Sequence, residues 1–176
     1  MKSFHSLVVV RRPRQQLWTI MRDHLSEIAA GIAEIEEVRQ IERNVDADGV
    51  DHITNEWRAR QQIPAAIRSL LKIDDIGWID RNVWDGRTST CSWSIEPKFL
   101  ADHVICGGKT VFDDAMGGRG TRVTFEGTLE LRPGLLGSLG SLEAMVSGFV
   151  ESIVSTIIPR NLRAVVEAAA LFEPPD

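Results

Sequence analysis

The last quarter of the chain restricts its possible folds more than any other segment. From Leu135 to Phe172 it reads as one long amphipathic helix. Leu135, Leu139, Leu142, Val146, Phe149, Ile153 and Ile157 step by fours and threes, which lays side chains along one helical stripe. A stripe of that length needs a broad concave surface to cover it. The segments before it read as short alternating strands, so a curved sheet is the surface on offer. The pattern predicts a sheet gripping a helix, with room for a ligand between them.

Lys2 to Val10 reads as a first strand, rich in β-branched residues. Pro13 suits the first turn of a helix, and Leu17, Ile20, Met21 and Leu25 follow at helical spacing. That helix should break near His24, with a second short helix through Ile28 to about Ile32. Strands are expected over Ile35–Val45, Val50–Arg60, Ile76–Trp84, Arg87–Ile95, His103–Asp113 and Thr121–Leu131, with a short helix over Pro64 to Leu71. Asp48-Gly49 and Asp85-Gly86 are hairpin signals, because the favoured two-residue turn needs positive φ. Gly117-Gly118-Arg119-Gly120 lacks the lysine and Ser/Thr of a phosphate-cradling loop and reads as a hairpin loop. Pro159 removes a hydrogen bond to the Ser155 carbonyl and predicts a kink, beyond which Leu162, Val165, Val166, Ala169 and Phe172 continue the apolar stripe. No repeat or linker divides the 176 residues, so one domain over 1–176 is expected.

Alternation resolves several strand faces. Val123, Phe125 and Leu129 form the inner set of their strand, and Ile53, Asn55, Trp57 and Ala59 that of another. If Asp85-Gly86 is a two-residue turn, Trp84 lies opposite Arg87, Asp80 opposite Cys91, and Trp78 opposite Trp93. Directly opposed residues share a face. Because Cys91, Trp93 and Ile95 are the apolar set, Trp78, Asp80, Asn82 and Trp84 should then point inward too. The inner face of Ile35–Val45 stays open, since odd and even loop lengths at Asp48-Gly49 give opposite answers.

The net charge of -5 provides no basic field for phosphate backbones, which argues against nucleic acid as a partner. Arg11-Arg12-Pro13 cuts the N-terminal apolar run short of a secretory signal, so a cytoplasmic location is expected. Glu143, Glu151 and three glycines interrupt the stretch from Leu135 to Ile158, which reads as a core helix and not a stable membrane insertion. Cys91 and Cys106 fall in strands as buried free thiols. Neither they nor the four scattered histidines have ligand spacing, so no metal or other cofactor is expected.

The order of one strand, two short helices, six antiparallel strands and a long C-terminal helix resembles the helix-grip fold. This is the START-like or Bet v 1-like (SRPBCC) superfamily, which includes polyketide cyclase/dehydrase and lipid-transport proteins. The segment Pro13 to Trp18, the mid-strand Trp57, Pro64 after that strand and the closing apolar helix add to the likeness. The resemblance implies an α+β helix-grip with a deep cavity between a curved antiparallel sheet and the kinked helix, holding a lipid-, sterol- or polyketide-like molecule. It also implies that some members catalyse cyclisation or aromatisation. The cavity tyrosines of aromatase-type members have no match, because this chain contains no tyrosine.

The residues expected to line such a cavity are Asn55, Trp57, Trp78, Asp80, Asn82, Cys91, Trp93, Phe125, Phe149 and Ile153. Trp57, Trp78 and Trp93 form either an aromatic binding wall or plain core packing against Phe149 and Ile153. Asp80, Asn82 and Asn55 are polar on an inner face and need partners. Asp80 facing a cavity would have a raised pKa and anchor a ligand or transfer a proton; the alternatives are an ion pair with a nearby arginine such as Arg87, or a place near the open rim where water reaches it. No nucleophile-elbow serine is present. Binding of a hydrophobic small molecule is the leading expectation. A cyclase/aromatase-type enzyme using Asp80 and a packed domain acting through its surface are the alternatives.

Overall fold

A computed structural model describes residues 1–132, 134 and 141–175. Seven strands form one antiparallel sheet: β1 (Lys2–Val10), β2 (Ile35–Val45), β3 (Asp51–Ala59), β4 (Ile76–Asp85), β5 (Thr90–Pro97), β6 (Val104–Ala115) and β7 (Gly120–Leu131). Their spatial order is β1-β7-β6-β5-β4-β3-β2, so the first two strands occupy opposite edges. The chain passes between those edges through α1 (Arg14–Asp23) and α2 (Leu25–Ala29), which meet at His24. α3 (Ala65–Leu71) links β3 to β4.

The alternation of the strands sets the inner face. Asp51, Ile53, Asn55, Trp57 and Ala59 are buried along β3, as are Val123, Phe125 and Leu129 along β7. β2 behaves differently. It carries register shifts between Ile35 and Glu37 and between Gln40 and Glu42, so neither odd nor even residues stay inside along its length. Ile35 and Val38 are buried, whereas Val45 is 61% exposed.

The β4–β5 hairpin corrects the expected pairing. Asp85 pairs with Thr90, which leaves a four-residue loop in place of a two-residue turn. Trp84 therefore faces Cys91, Asn82 faces Trp93, Asp80 faces Ile95, and Trp78 faces Pro97. Each partner of the expected pairing is displaced by four residues, an even number, so the inward set is unchanged.

The C-terminal helix consists of α4 (Ser141–Ser152), a π-helical segment (Ile153–Ile157) and α5 (Ile158–Leu171). The expected stripe positions Leu135 and Leu139 lie outside the described residues. Further on, the stripe is not the expected one: Leu142 is exposed and Phe149 half-buried, while Val150 and Val154 are buried. Val146, Val150, Val154, Ile158, Asn161, Val165 and Ala169 lie one per turn on the buried side, and six turns take 23 residues. A regular α-helix completes six turns in about 21.6 residues. The wider π turn absorbs the surplus and keeps both halves on the sheet. Two local causes coincide there: Pro159 has no N–H for the Ser155 carbonyl, and Ser155 Oγ donates back to the Glu151 carbonyl at 2.5 Å.

Arg12 ties down the end of α5. Its Nε donates to the Ala170 carbonyl and its Nη2 to the Phe172 carbonyl, both at 2.9 Å, and the same Nη2 reaches Glu173 Oε1 at 2.8 Å. Cationic donors on the free carbonyls of a helix C-terminus satisfy them and oppose the dipole. At the far side, Arg22, Asp23, Arg43 and Asp51 alternate in one ion-pair network that fixes the end of α1 to the β2–β3 hairpin. The hydrogen bond from Arg22 is the main reason the Asp23 carboxyl is held below its ordinary value.

Candidate functional site

The site begins with one cross-strand row on the inner face. Asn82, Trp93, Gly108, Gly127 and Phe4 stand directly opposite one another across β4, β5, β6, β7 and β1. The two glycines leave the room that the aromatic rings occupy. A methyl on Gly108 would lie 2.0 Å from the Glu126 carbonyl oxygen and 2.5 Å from Trp93 Cζ2; one on Gly127 would lie 2.4 Å from Phe4 Cζ and 2.5 Å from Trp93 Cη2. Over this gap Trp93 stacks on Phe125 with ring centroids 4.5 Å apart. Trp57 stacks on Trp78 at 5.5 Å, and Trp18 packs edge-on behind Trp84 at 4.9 Å.

Between this wall and α5 lies a cavity of about 70 Å³. Trp57, Trp78, Trp84 and Trp93 line it from the sheet, and Ile158, Asn161, Leu162 and Val165 from the helix. Leu25 of α2 and Leu162 of α5 are the lining residues that are only half-buried, and they mark the side where the cavity approaches solvent. The volume holds a few water molecules; an apolar cavity that accepts benzene is on the order of 150 Å³. A ring-sized guest therefore requires the walls to move outward.

Of the residues expected to form a site, Trp57, Trp78, Asp80, Asn82, Cys91, Trp93 and Phe125 line this cavity. Three do not. Asn55 is buried opposite Asp80 on the same inner face of β3, beside the lining. Phe149 packs near Phe99 at 6.4 Å, and Ile153 borders a separate void of about 10 Å³ near Trp78 and Phe99. Both sit on the helix before or within the π segment, and the main cavity lies under the helix after it.

Asp80 is the charged centre of the lining. Trp57 Nε1 donates to its Oδ1 at 2.9 Å and Asn82 Nδ2 to its Oδ2 at 2.6 Å, while the Asn55 amide acts in the same sense. The expected alternative of an Arg87 ion pair is not formed, because Arg87 binds Asp85 instead. Burial without a cationic partner outweighs the three donors and pushes the Asp80 carboxyl up to about 6. Cys91, whose Sγ lies 3.5 Å from Asn82 Oδ1, is buried and held protonated well above its ordinary range. Burial likewise pushes Cys106 up to about 12. Among the described residues, no group of three His, Cys, Asp or Glu side chains is placed to hold a metal ion.

No protein-family model and no curated protein matches the sequence. Solved structures do match in shape. TTHA0849 from Thermus thermophilus superposes with a TM-score of 0.64 at 16% identity, over 97% of this chain and 95% of that one. The Zhui aromatase/cyclase from Streptomyces sp. R1128 gives 0.62 at 16% identity, over 96% and 91%. Ara h 8.0201 gives 0.56 at 14% identity, over 94% and 97%. The fold is the START-like, Bet v 1-like helix grip. Sequence identity this low carries the architecture and no activity.

In this helix grip the buried polar lining residues absent from the expected site are Thr110 and Asn161, and Asn161 is the one left without a partner. It is 2% exposed, and neither its Oδ1 nor its Nδ2 has a hydrogen-bond partner among the described residues. Trp93 Nε1 is buried and unpartnered as well. A signal for Asn161 was present: it lies four residues after Ile157 and four before Val165, a polar residue on an otherwise apolar stripe. The helix Leu142–Leu171 is long and apolar enough to cross a membrane, but its buried stripe is spent on the sheet, as in the core helix of a soluble protein.

Proposed function

We propose that the protein binds a compact hydrophobic small molecule in the cavity between the sheet and α5, in the cytoplasm. The observation that carries this reading is the makeup of the lining: four tryptophans and the aliphatic face of α5 around a few buried polar groups. Cavities that are mostly apolar, with a small number of placed polar groups, are the usual form of small-molecule sites. Apolar burial supplies the affinity, and Asp80 and Asn82 fix orientation, with Asn55 supporting Asp80 from the neighbouring strand. A ligand of lipid-, sterol- or polyketide-like character is what the resemblance to START-like proteins implies, and it would enter once Leu25 and Leu162 part.

Native mass spectrometry of the purified chain, with titration of its tryptophan fluorescence by toluene and naphthalene, tests the reading. A co-purified small molecule, or saturable quenching that Val165→Phe removes by filling the cavity, supports it. Quenching that survives Val165→Phe places the probe elsewhere and refutes it.

Asp80 favours a second reading, an enzyme that transfers a proton to or from the bound molecule. A carboxyl near 6 exchanges protons readily at neutral pH. On a polyketide-like substrate, Asp80→Asn would abolish turnover while leaving affinity in place. A pure binder shows no turnover to lose.

A further inference from the structure

The polar groups on the cavity divide into those already engaged and those left over. Trp57 Nε1 and Asn82 Nδ2 are committed to Asp80. Asn82 Oδ1 faces the Cys91 thiol. The Asn161 amide and the Trp93 indole N–H are buried and, among the described residues, uncommitted. Buried polar side chains without partners are rare, because each carries a desolvation cost that an apolar residue avoids. Leucine at position 161 would continue the stripe at no such cost, so the amide is retained against packing.

α5 carries this residue on the side that lines the cavity. Each α-helical residue turns the chain by about 100°. The surplus residue held in Ile153–Ile157 turns α5 as a whole relative to α4, and within α5 the spacing of Ile158, Asn161 and Val165 puts all three on the cavity. Among the described residues no arginine, lysine or histidine lines the cavity, and its ionisable side chains are Asp80 and Cys91. An anionic guest would therefore meet an acid and no counter-charge.

Resting on the binding reading above, we infer that the ligand is a neutral molecule with a carboxamide- or lactam-type edge, an acceptor beside an N–H donor, docked on Asn161. Nδ2 of Asn161 donates to the ligand carbonyl, Oδ1 accepts from its N–H, and Trp93 Nε1 supplies a second donor to the carbonyl. The hydrocarbon remainder lies against the tryptophans. Asn161 is thereby the specificity-determining residue of the site. A site built to pair a polar edge discriminates strongly against an isostere that lacks it.

Toluene and benzamide share a ring but differ in the size of the substituent, so each variant is compared with the wild type for the same probe. Each is titrated against the tryptophan fluorescence of the wild type, Asn161→Leu and Trp93→Phe, with thermal melting alongside. The expected result is that Asn161→Leu weakens benzamide by about tenfold or more and leaves toluene within about twofold. Its melting temperature equals or exceeds the wild-type value. Trp93→Phe, which keeps an aromatic ring and removes the donor, weakens benzamide by a few fold and spares toluene.

Equal changes for both probes, or unchanged benzamide binding in Asn161→Leu, overturn the inference and leave cavity binding intact. A large fall in melting temperature for Asn161→Leu also overturns it, because the amide is then a structural group. If toluene and benzamide both fail to bind the wild type, the inference and the binding reading fall together.

Discussion

Trp57 donates its indole N–H to Oδ1 of Asp80 at 2.9 Å, joining β3 to β4 on the wall of the cavity. This bond and that from Asn82 favour the carboxylate, while burial favours the acid. The balance leaves Asp80 close to half-protonated near pH 6. Removing a donor should tip it further. Trp57→Phe takes away a hydrogen bond to a charged group, worth about 1.5–3 kcal/mol, or on the order of one pKa unit or more. The Asp80 carboxyl should then titrate above about 7, as read from its side-chain carbon shift by NMR.

The same carboxyl makes stability depend on pH in an unusual direction for an acid. Its ordinary value is 3.8 and its folded value about 6. Between those limits the folded state binds more protons than the unfolded one, so stability falls as pH rises and the full penalty is present above about 6. Two units correspond to about 3 kcal/mol. Denaturant titrations from about pH 4 to about pH 7 should show this loss in the wild type and its absence in Asp80→Asn. Equal slopes in the two proteins would exclude the assignment.

Gly108 and Gly127 test the aromatic wall. Gly127→Ala brings a methyl against Phe4 and Trp93, side chains that can give way, and should cost about 1–3 kcal/mol. Gly108→Ala meets the Glu126 backbone carbonyl and should cost more. Denaturation midpoints rank the two, and altered near-ultraviolet circular dichroism should report displacement of Trp93.

Arg12→Ala should loosen the end of α5 without disturbing the sheet. It removes donors to the Ala170 and Phe172 carbonyls at a half-buried position, worth on the order of 2 kcal/mol in total. Hydrogen exchange at the last turn of α5 should accelerate, while exchange in β5 and β6 stays slow.

Much of this architecture is legible in the sequence, for reasons that differ by element. Alternation turns Trp57 and Trp93 inward, and Trp78, Asp80 and Asn82 follow from the β4–β5 hairpin because its real loop differs from a two-residue turn by an even number of residues. The actual cross-strand partners could not be found that way, since Asp85-Gly86 opens a four-residue loop whose length no dipeptide encodes. The face of β2 is not legible in either loop length at Asp48-Gly49, because two register shifts reset it along the strand. A uniform period puts Phe149 on the stripe, but the helix changes pitch at Ile153. A stripe traced only through apolar residues steps across Asn161, the position on α5 where polarity carries information.

The π turn also affects how this chain is compared with others. It is a one-residue insertion accommodated inside a continuous helix, with no loop to reveal it. A homologue whose helix is α-helical throughout would be one residue shorter there while covering the same surface. Any alignment scored without a gap within Ile153–Ile157 would then shift every later position by one. The residue matched to Asn161 would belong to a different face of the helix. Equivalents of Asn161 have to be sought by superposing helices, with the gap placed inside the turn.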